Sequence, residues 1–174
     1  MSTTQIIIGV VVLLVLVAIG QYNRLRRLNV RVDEAFAQIE VQLQRRGDLI
    51  PNLVETVKGY AAHEREVLER VVQARAAATS AVGVHDVAAA DGMLTQALRG
   101  LLAVSEAYPD LKASANFISF LNDTSFTENK IGFARQYYNE NVRSLNEAIA
   151  TFPGNTFAGL ASGFIARITR TPCR

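Results

Sequence analysis

The chain has 174 residues, a length typical of a single domain, and its 18 Lys and Arg against 16 Asp and Glu give a formal net charge of +2. It contains no Trp, four Pro and one Cys, which excludes a disulfide scaffold, a cysteine-based zinc site and a proline-rich linker protein. Hydrophobic residues make up 49% of the chain beside 20% charged residues, a high apolar share for a soluble domain. This apolar excess lies at the N-terminus, where the first charge is Arg24.

Residues 1–23 form an uncharged segment that we predict to be a membrane anchor. Its centre, residues 6–20, reads IIIGVVVLLVLVAIG, and about 20 residues of helix are enough to cross the hydrocarbon layer. A cleaved signal peptide is the alternative, with residues 18–20 as a cleavage site of small residues. Such a peptide begins with Lys or Arg, however, and the first five residues, MSTTQ, contain neither.

The orientation of the anchor follows from the basic residues beside it. Arginines flanking a membrane helix are retained on the cytoplasmic side, and here they all follow the apolar segment. These predicted membrane-interface residues are Arg24, Arg26, Arg27 and Arg31. We therefore expect a single-pass protein of the cell membrane with a short outer N-terminus and the remaining residues on the cytoplasmic side.

From Val32 onward, apolar residues recur at spacings of three and four, which is typical of helices in bundles and coiled coils. The register gives four helices, whose apolar seams begin at Val32, Ile50, Val87 and Phe117. Helix-stopping and helix-starting residues separate them at Gly47–Asp48, residues 80–86, Tyr108–Asp110 and Pro153–Gly154. The sequence thus predicts an all-α fold, in which an N-terminal transmembrane helix continues into an up-and-down antiparallel four-helix bundle over residues 24–154. Residues 122–125 are poor helix formers, which favours a kink or an opening of the fourth helix at that point.

The C-terminal tail, residues 155–174, combines an apolar run over residues 157–166 with basic residues after it. If the fourth helix returns to the membrane, Arg167 and Arg170 reach the bilayer surface and can bind anionic headgroups. The alternative is a tail folded over the open end of the bundle.

The charge distribution argues against nucleic acid as a partner. Seven of the 18 basic residues lie in residues 24–31 and 167–174, so residues 32–166 carry 11 basic and 16 acidic side chains, a net charge of −5. A nucleic-acid-binding domain needs a basic stripe along its body.

Sequence signatures of catalysis are missing. There is no glycine-rich phosphate loop, and His63–Glu64 lacks the second histidine of a zincin motif because position 67 is Val. Neither histidine has a Glu three residues before it, as a di-iron bundle requires. We expect a protein that is not an enzyme and that has no cofactor or bound metal.

Three charged residues interrupt the apolar seams, namely Glu64, Glu128 and Arg135. They could lie solvated at the rim, form an internal ion pair that fixes helix register, or line a polar groove for a partner. Counting residues from the membrane-proximal helix ends places Glu64 and Arg135 at the same height, since each residue of a helix rises about 1.5 Å. We predict that these two form a salt bridge across the bundle, without Glu128.

The join at Gly47–Asp48 is predicted to be the loop farthest from the membrane, where a soluble partner would bind. Its candidate partner-binding residues are Arg45, Arg46, Asp48 and Asn52. Helix capping and solvation of a loop are the simpler explanation of the same residues.

Four stretches of the sequence resemble the LemA family of bacterial membrane proteins. They are QIEVQLQRRGDLIPNLVETVKGYAAHEREVLERVVQAR from Gln38, LRGLLAVSEAYPDLKASANF from Leu98, TENKIGFARQYYNENV from Thr127 and FPGN from Phe152. The resemblance implies an inner-membrane helix, a small extracytoplasmic N-terminus and an up-and-down bundle. One branch of the family is associated with magnetosome membranes, but the resemblance implies no activity. The segment FLNDTSF at residues 120–126 departs from the family pattern, in which a Leu-, Gln- and Glu-rich helix is usual.

Together these observations predict a non-catalytic scaffold or adaptor at the cytoplasmic membrane face, with membrane lipids and an unidentified protein as partners. The alternative is a lipid-organising protein that self-associates into a homo-oligomer and uses its basic tail. Deletion of residues 155–174 should abolish activity only in the second case.

Overall fold

The computed structural model describes residues 3–152 and Asn155, and the helices it contains confirm the expected all-α fold. They are α1 (Thr3–Tyr60), α2 (Arg65–Ser80), α3 (Val84–Ser105), α4 (Pro109–Lys112) and α5 (Ala115–Ala150). No strand is found among these described residues.

The first predicted join is wrong, because α1 continues through Gly47–Asp48 and ends only at Tyr60. The chain turns at residues 61–64 instead, where the Glu64 N–H donates to the Ala61 carbonyl at 3.1 Å. The physical reason is that the inward-facing side of the helix does not break at Gly47. Leu43, Arg46 and Ile50 follow one another at three and four residues; Leu43 is partly buried, and Arg46 and Ile50 are buried.

Pro51 is accommodated inside α1 by a hydrogen bond from the next helix. A proline has no N–H, so the carbonyl four residues earlier, that of Gly47, loses its usual donor within the helix. Arg75 of α2 replaces that donor, since its Nε–H donates to the Gly47 oxygen at 2.9 Å. In a helix that started at Asp48, as the predicted join implies, Pro51 would lie in the first turn and need no such donor; the Arg75 donor is not visible in the sequence.

The next two joins lie where the sequence places them. Gly83 separates α2 from α3 with a φ of 83°, a left-handed conformation that glycine adopts without strain. Pro109 starts α4, where its missing N–H costs nothing. Residues 122–125 are helical within α5, so the helix does not open there. The predicted stop at Pro153–Gly154 lies outside the described residues.

The described residues divide into two units, of which the second comprises residues 36–136. Its core is formed by apolar side chains of α1, α2, α3, α4 and α5 that match most of the predicted seams. In α3 the buried positions include 91, 98 and 105, whereas positions 97 and 104, which the spacing of three and four from Val87 predicts to be buried, are only partly buried. The largest buried core side chains are Ile50, Leu53, Leu94, Leu101, Leu111 and Phe117.

The first unit comprises residues up to Ala35 together with those from Tyr137 onward. Its buried side chains include Leu25, Val32, Tyr138 and Leu145. The large apolar side chains of residues 6–19 are, in contrast, 41–61% exposed. Among the described residues, α1 is the one helix long and apolar enough to cross a membrane, and a bilayer is the environment in which such an exposed apolar surface is stable.

Candidate functional site

The second unit contains a buried charge network that joins three helices. Arg46 of α1 is 3% exposed and donates through Nη1 to Asp91 Oδ1 at 2.9 Å and to the Thr95 hydroxyl at 3.1 Å. Asp91 of α3, 6% exposed, accepts through its other oxygen from Arg135 Nη2 of α5 at 2.8 Å. One carboxylate thus bridges two guanidinium groups.

The electrostatics of this network explain why its members are found together. A buried charge is costly unless it is paired, and Arg46 meets that requirement only through Asp91. Arg135 keeps 30% of its side chain exposed, so water also solvates its charge. Within residues 3–152, the Arg46 Nε–H is buried without a hydrogen-bond partner. The network therefore ties α1, α3 and α5 together through the single carboxylate of Asp91.

The predicted Glu64–Arg135 salt bridge is not formed. Arg135 pairs with Asp91, and among the described residues Glu64 is joined to no cation. Since α1 ends at Tyr60, Glu64 is the residue that precedes α2 and does not lie in the middle of a helix. The residue count that placed Glu64 and Arg135 at the same height along the bundle therefore does not apply. Glu128 is exposed on α5, in agreement with a solvated rim position.

Glu64 contacts Tyr108 instead, whose hydroxyl donates to Glu64 Oε1 at 3.3 Å. The pKa of Tyr108 is raised above 10.0 by partial burial, by the negative charge of Glu64 and by this hydrogen bond, all of which favour the protonated phenol. The contact ties the turn before α2 to the segment that precedes α4.

The four predicted partner-binding residues do not form one loop surface, because all lie within α1. Arg46 points into the core and is unavailable to a partner. Asp48 lines a cleft with α2 residues, and Asn52 lines another with α5 residues. Of the four residues, Arg45 is the one whose side chain lies beside an exposed aromatic ring of α5, that of Phe126.

The Phe126 ring belongs to an aromatic and basic surface, defined by Arg45, Phe126, Lys130 and Phe133. The Phe126 ring is 50% exposed, with the Arg45 guanidinium carbon 5.9 Å and Lys130 Nζ 5.0 Å from its centroid. Phe133, two turns further along α5, is 73% exposed. Cations at these distances are attracted to an aromatic face.

The predicted membrane-interface arginines Arg24, Arg26, Arg27 and Arg31 are exposed on α1, directly after its apolar segment. Arg167 and Arg170 lie outside the described residues. Over the part of the chain that is described, no three His, Cys, Asp or Glu side chains come together as metal ligands.

Sequence reasoning missed Asp91 and Phe126. Asp91 lies four residues after Val87 and three before Leu94, which is a seam position, and a charge there signals a buried partner. Phe126 gave no such signal, because an aromatic residue in a helix usually belongs to the core.

Most of the chain is similar in sequence to known proteins. The model of the LemA family matches residues 35–167. The chain is also similar to Protein LemA of Metamycoplasma hominis (strain ATCC 23114 / DSM 25592 / NBRC 14850 / NCTC 10111 / PG21), with 28% identity over 144 residues, or 82% of this chain. It spans 65% of the length of that relative. With three quarters of its residues inside the matched region, the chain belongs to the LemA family.

Proposed function

We propose that this chain is a membrane-anchored helical bundle that acts as a non-catalytic scaffold or adaptor at the cytoplasmic face. The observation that carries the proposal is the pairing of an apolar N-terminal segment with an exposed aromatic and basic surface on the second unit. The first suits retention in a bilayer, and the second suits capture of a protein segment.

The occupant proposed for the aromatic and basic surface is an acidic amphipathic helix of a partner protein. Phe126 and Phe133 lie seven residues apart on α5 and so face the same side, which matches the two-turn spacing of apolar anchors on a docking helix. Arg45 and Lys130 supply positive charge beside them, and an acidic segment would complement that charge. Aromatic and arginine side chains also dominate the binding energy of many interfaces.

Photo-crosslinking in intact membranes tests the docking surface. A photoreactive phenylalanine analogue at position 133 should crosslink to a segment rich in Asp and Glu, identified by mass spectrometry. The same analogue at position 72, an exposed valine of α2, is the matched control and should not crosslink to that segment. The charge reversals R45E and K130E together should reduce the crosslink by at least about ten-fold, since each lost hot-spot contact costs about 2 kcal/mol or more. Crosslinking only to a second copy of the chain, or to a basic segment, would contradict the proposal.

The lone cysteine, Cys173, tests the proposed sidedness. If the basic residues hold the bundle inside, a membrane-impermeant maleimide should leave Cys173 unlabelled in intact cells and label it after lysis. Equal labelling before and after lysis would place the bundle outside.

A further inference from the structure

The first unit contains a basic cleft beside the apolar segment of α1. The cleft has a volume of about 490 Å³ and is lined by Arg24, Arg27, Leu28 and Arg31 of α1 and by Ser144, Glu147, Ala148 and Thr151 at the end of the chain's last described helix. This volume lies in the range of small-molecule sites, about 300–1,000 Å³.

The three arginines that line the basic cleft share one face of α1, because residues at spacings of three and seven lie above one another on a helix. Within residues 3–152 no ion pair engages any of them. Glu147, the one acid in the lining, is held by Arg143, whose Nε lies 2.7 Å from Glu147 Oε1. The cleft thus offers three guanidinium groups that have no ion-pair partner in the described part of the chain, the chemistry that recognises a phosphate.

The position of the basic cleft along α1 indicates where such a phosphate comes from. At about 1.5 Å rise per residue, Arg24 lies about 6 Å and Arg31 about 17 Å beyond Gly20, the end of the apolar run. The headgroup layer of a bilayer is about 5–7 Å thick on each side. Arginine side chains on a helix lean toward its N-terminus, so these three extend back toward that layer.

We infer that the basic cleft binds the phosphate headgroup of a net-anionic phospholipid. Arg24 and Arg27, the two lining arginines nearest the bilayer, hold the phosphate oxygens, whereas Arg31 lies about 10 Å beyond the headgroup layer and adds only positive charge. Ser144 lines the opposite wall. A lipid in this site contacts both α1 and the end of α5, so it stabilises their association in the first unit. The inference rests on the membrane anchoring of the proposed function, but it requires no protein partner.

Native mass spectrometry of the full chain in mild detergent tests this site. Dioleoylphosphatidylglycerol should bind in a one-to-one complex and more tightly than zwitterionic dioleoylphosphatidylcholine. Arg27→Gln should weaken phosphatidylglycerol binding by about five-fold, the effect of one basic residue near an anionic headgroup. Arg26→Gln is the matched control, because Arg26 is also exposed on α1 but does not line the basic cleft. It should change binding by less than about two-fold.

Three outcomes would overturn the inference. Equal weakening by Arg26→Gln and Arg27→Gln would indicate diffuse electrostatic attraction, and equal binding of the two lipids would exclude recognition of net charge. Displacement of the lipid by an excess of inorganic phosphate would indicate a site for the free anion. Because detergent-solubilised protein is measured, these results do not depend on the docking of a protein partner, and circular dichroism checks that each variant remains helical.

Discussion

Asp91→Asn is expected to lower the free energy of unfolding by about 3–5 kcal/mol, the cost of leaving a buried charge without its partner. The asparagine keeps the shape of the side chain but removes the charge that Arg46 and Arg135 share. Arg46 cannot recover its solvation by moving outward, because it is buried in the core of the second unit. Urea unfolding of the full chain in detergent, followed by the loss of helical circular dichroism, measures the change.

Asp86→Asn provides the control for that measurement. Asp86 lies on the same helix, α3, but its side chain is 69% exposed and pairs with the exposed His85. It lies in the first turn of α3, where removal of a negative charge costs about 0.3–1 kcal/mol, so the loss should stay below about 1 kcal/mol. A loss of less than about 1 kcal/mol for Asp91→Asn would mean that water reaches the network and that it does not fix the helix register.

The three charged side chains of the network can also be replaced together, which separates the effect of an unpaired charge on stability from the effect of side-chain shape. Arg46→Met, Asp91→Leu and Arg135→Leu together should cost less than Asp91→Asn alone, because no charge is left unpaired. If the triple variant is as unstable as the single variant, shape and not charge accounts for the loss. Coupling of this kind is expected for side chains in direct contact.

The sequence was sufficient to predict the fold class and most of the buried faces, because both depend on local apolar periodicity. The spacing of three and four gave the buried faces of α2, α5 and much of α1. It was insufficient for the first join, since Gly47 and Pro51 are the residues that usually end and begin helices. Inside α1 the Gly47 carbonyl accepts a hydrogen bond from Arg75, a contact between residues 28 positions apart that no local pattern encodes.

The candidate site was harder to predict than the fold, because it too depends on where α1 ends and on contacts between residues far apart in the sequence. Arg46 and Arg45 are neighbours in sequence, but a helix turns about 100° per residue and sends one into the core and the other to the surface. A loop at Gly47 would have exposed both. The misplaced join therefore caused two errors at once, the partner-binding set and the Glu64–Arg135 pair.

The coupling between Pro51 and Arg75 can be measured directly. Arg75→Met should cost about 1–3 kcal/mol, because it leaves the partly buried Gly47 carbonyl without a donor. Pro51→Ala restores an N–H four residues after Gly47, and it should stabilise the chain by up to about 3 kcal/mol, the usual cost of a proline inside a helix. In the Pro51→Ala background the cost of Arg75→Met should then fall by at least about 1 kcal/mol, since the carbonyl already has a partner.

Arg70→Met, made with and without Pro51→Ala, is the matched control for this double-mutant cycle. Arg70 lies on the same helix, α2, but it is exposed; its Nη2 lies 3.9 Å from Glu66 Oε1, and its Nε donates to the Glu66 carbonyl of its own helix at 3.4 Å. Surface ion pairs contribute about 0–1 kcal/mol, and the contribution should be the same in both backgrounds because Arg70 does not contact Gly47. Equal costs of Arg75→Met with and without Pro51 would show that Arg75 stabilises α1 through the packing of its aliphatic stem. A reduced cost without Pro51 would instead identify the Arg75 hydrogen bond as the reason that α1 passes through a proline unbroken.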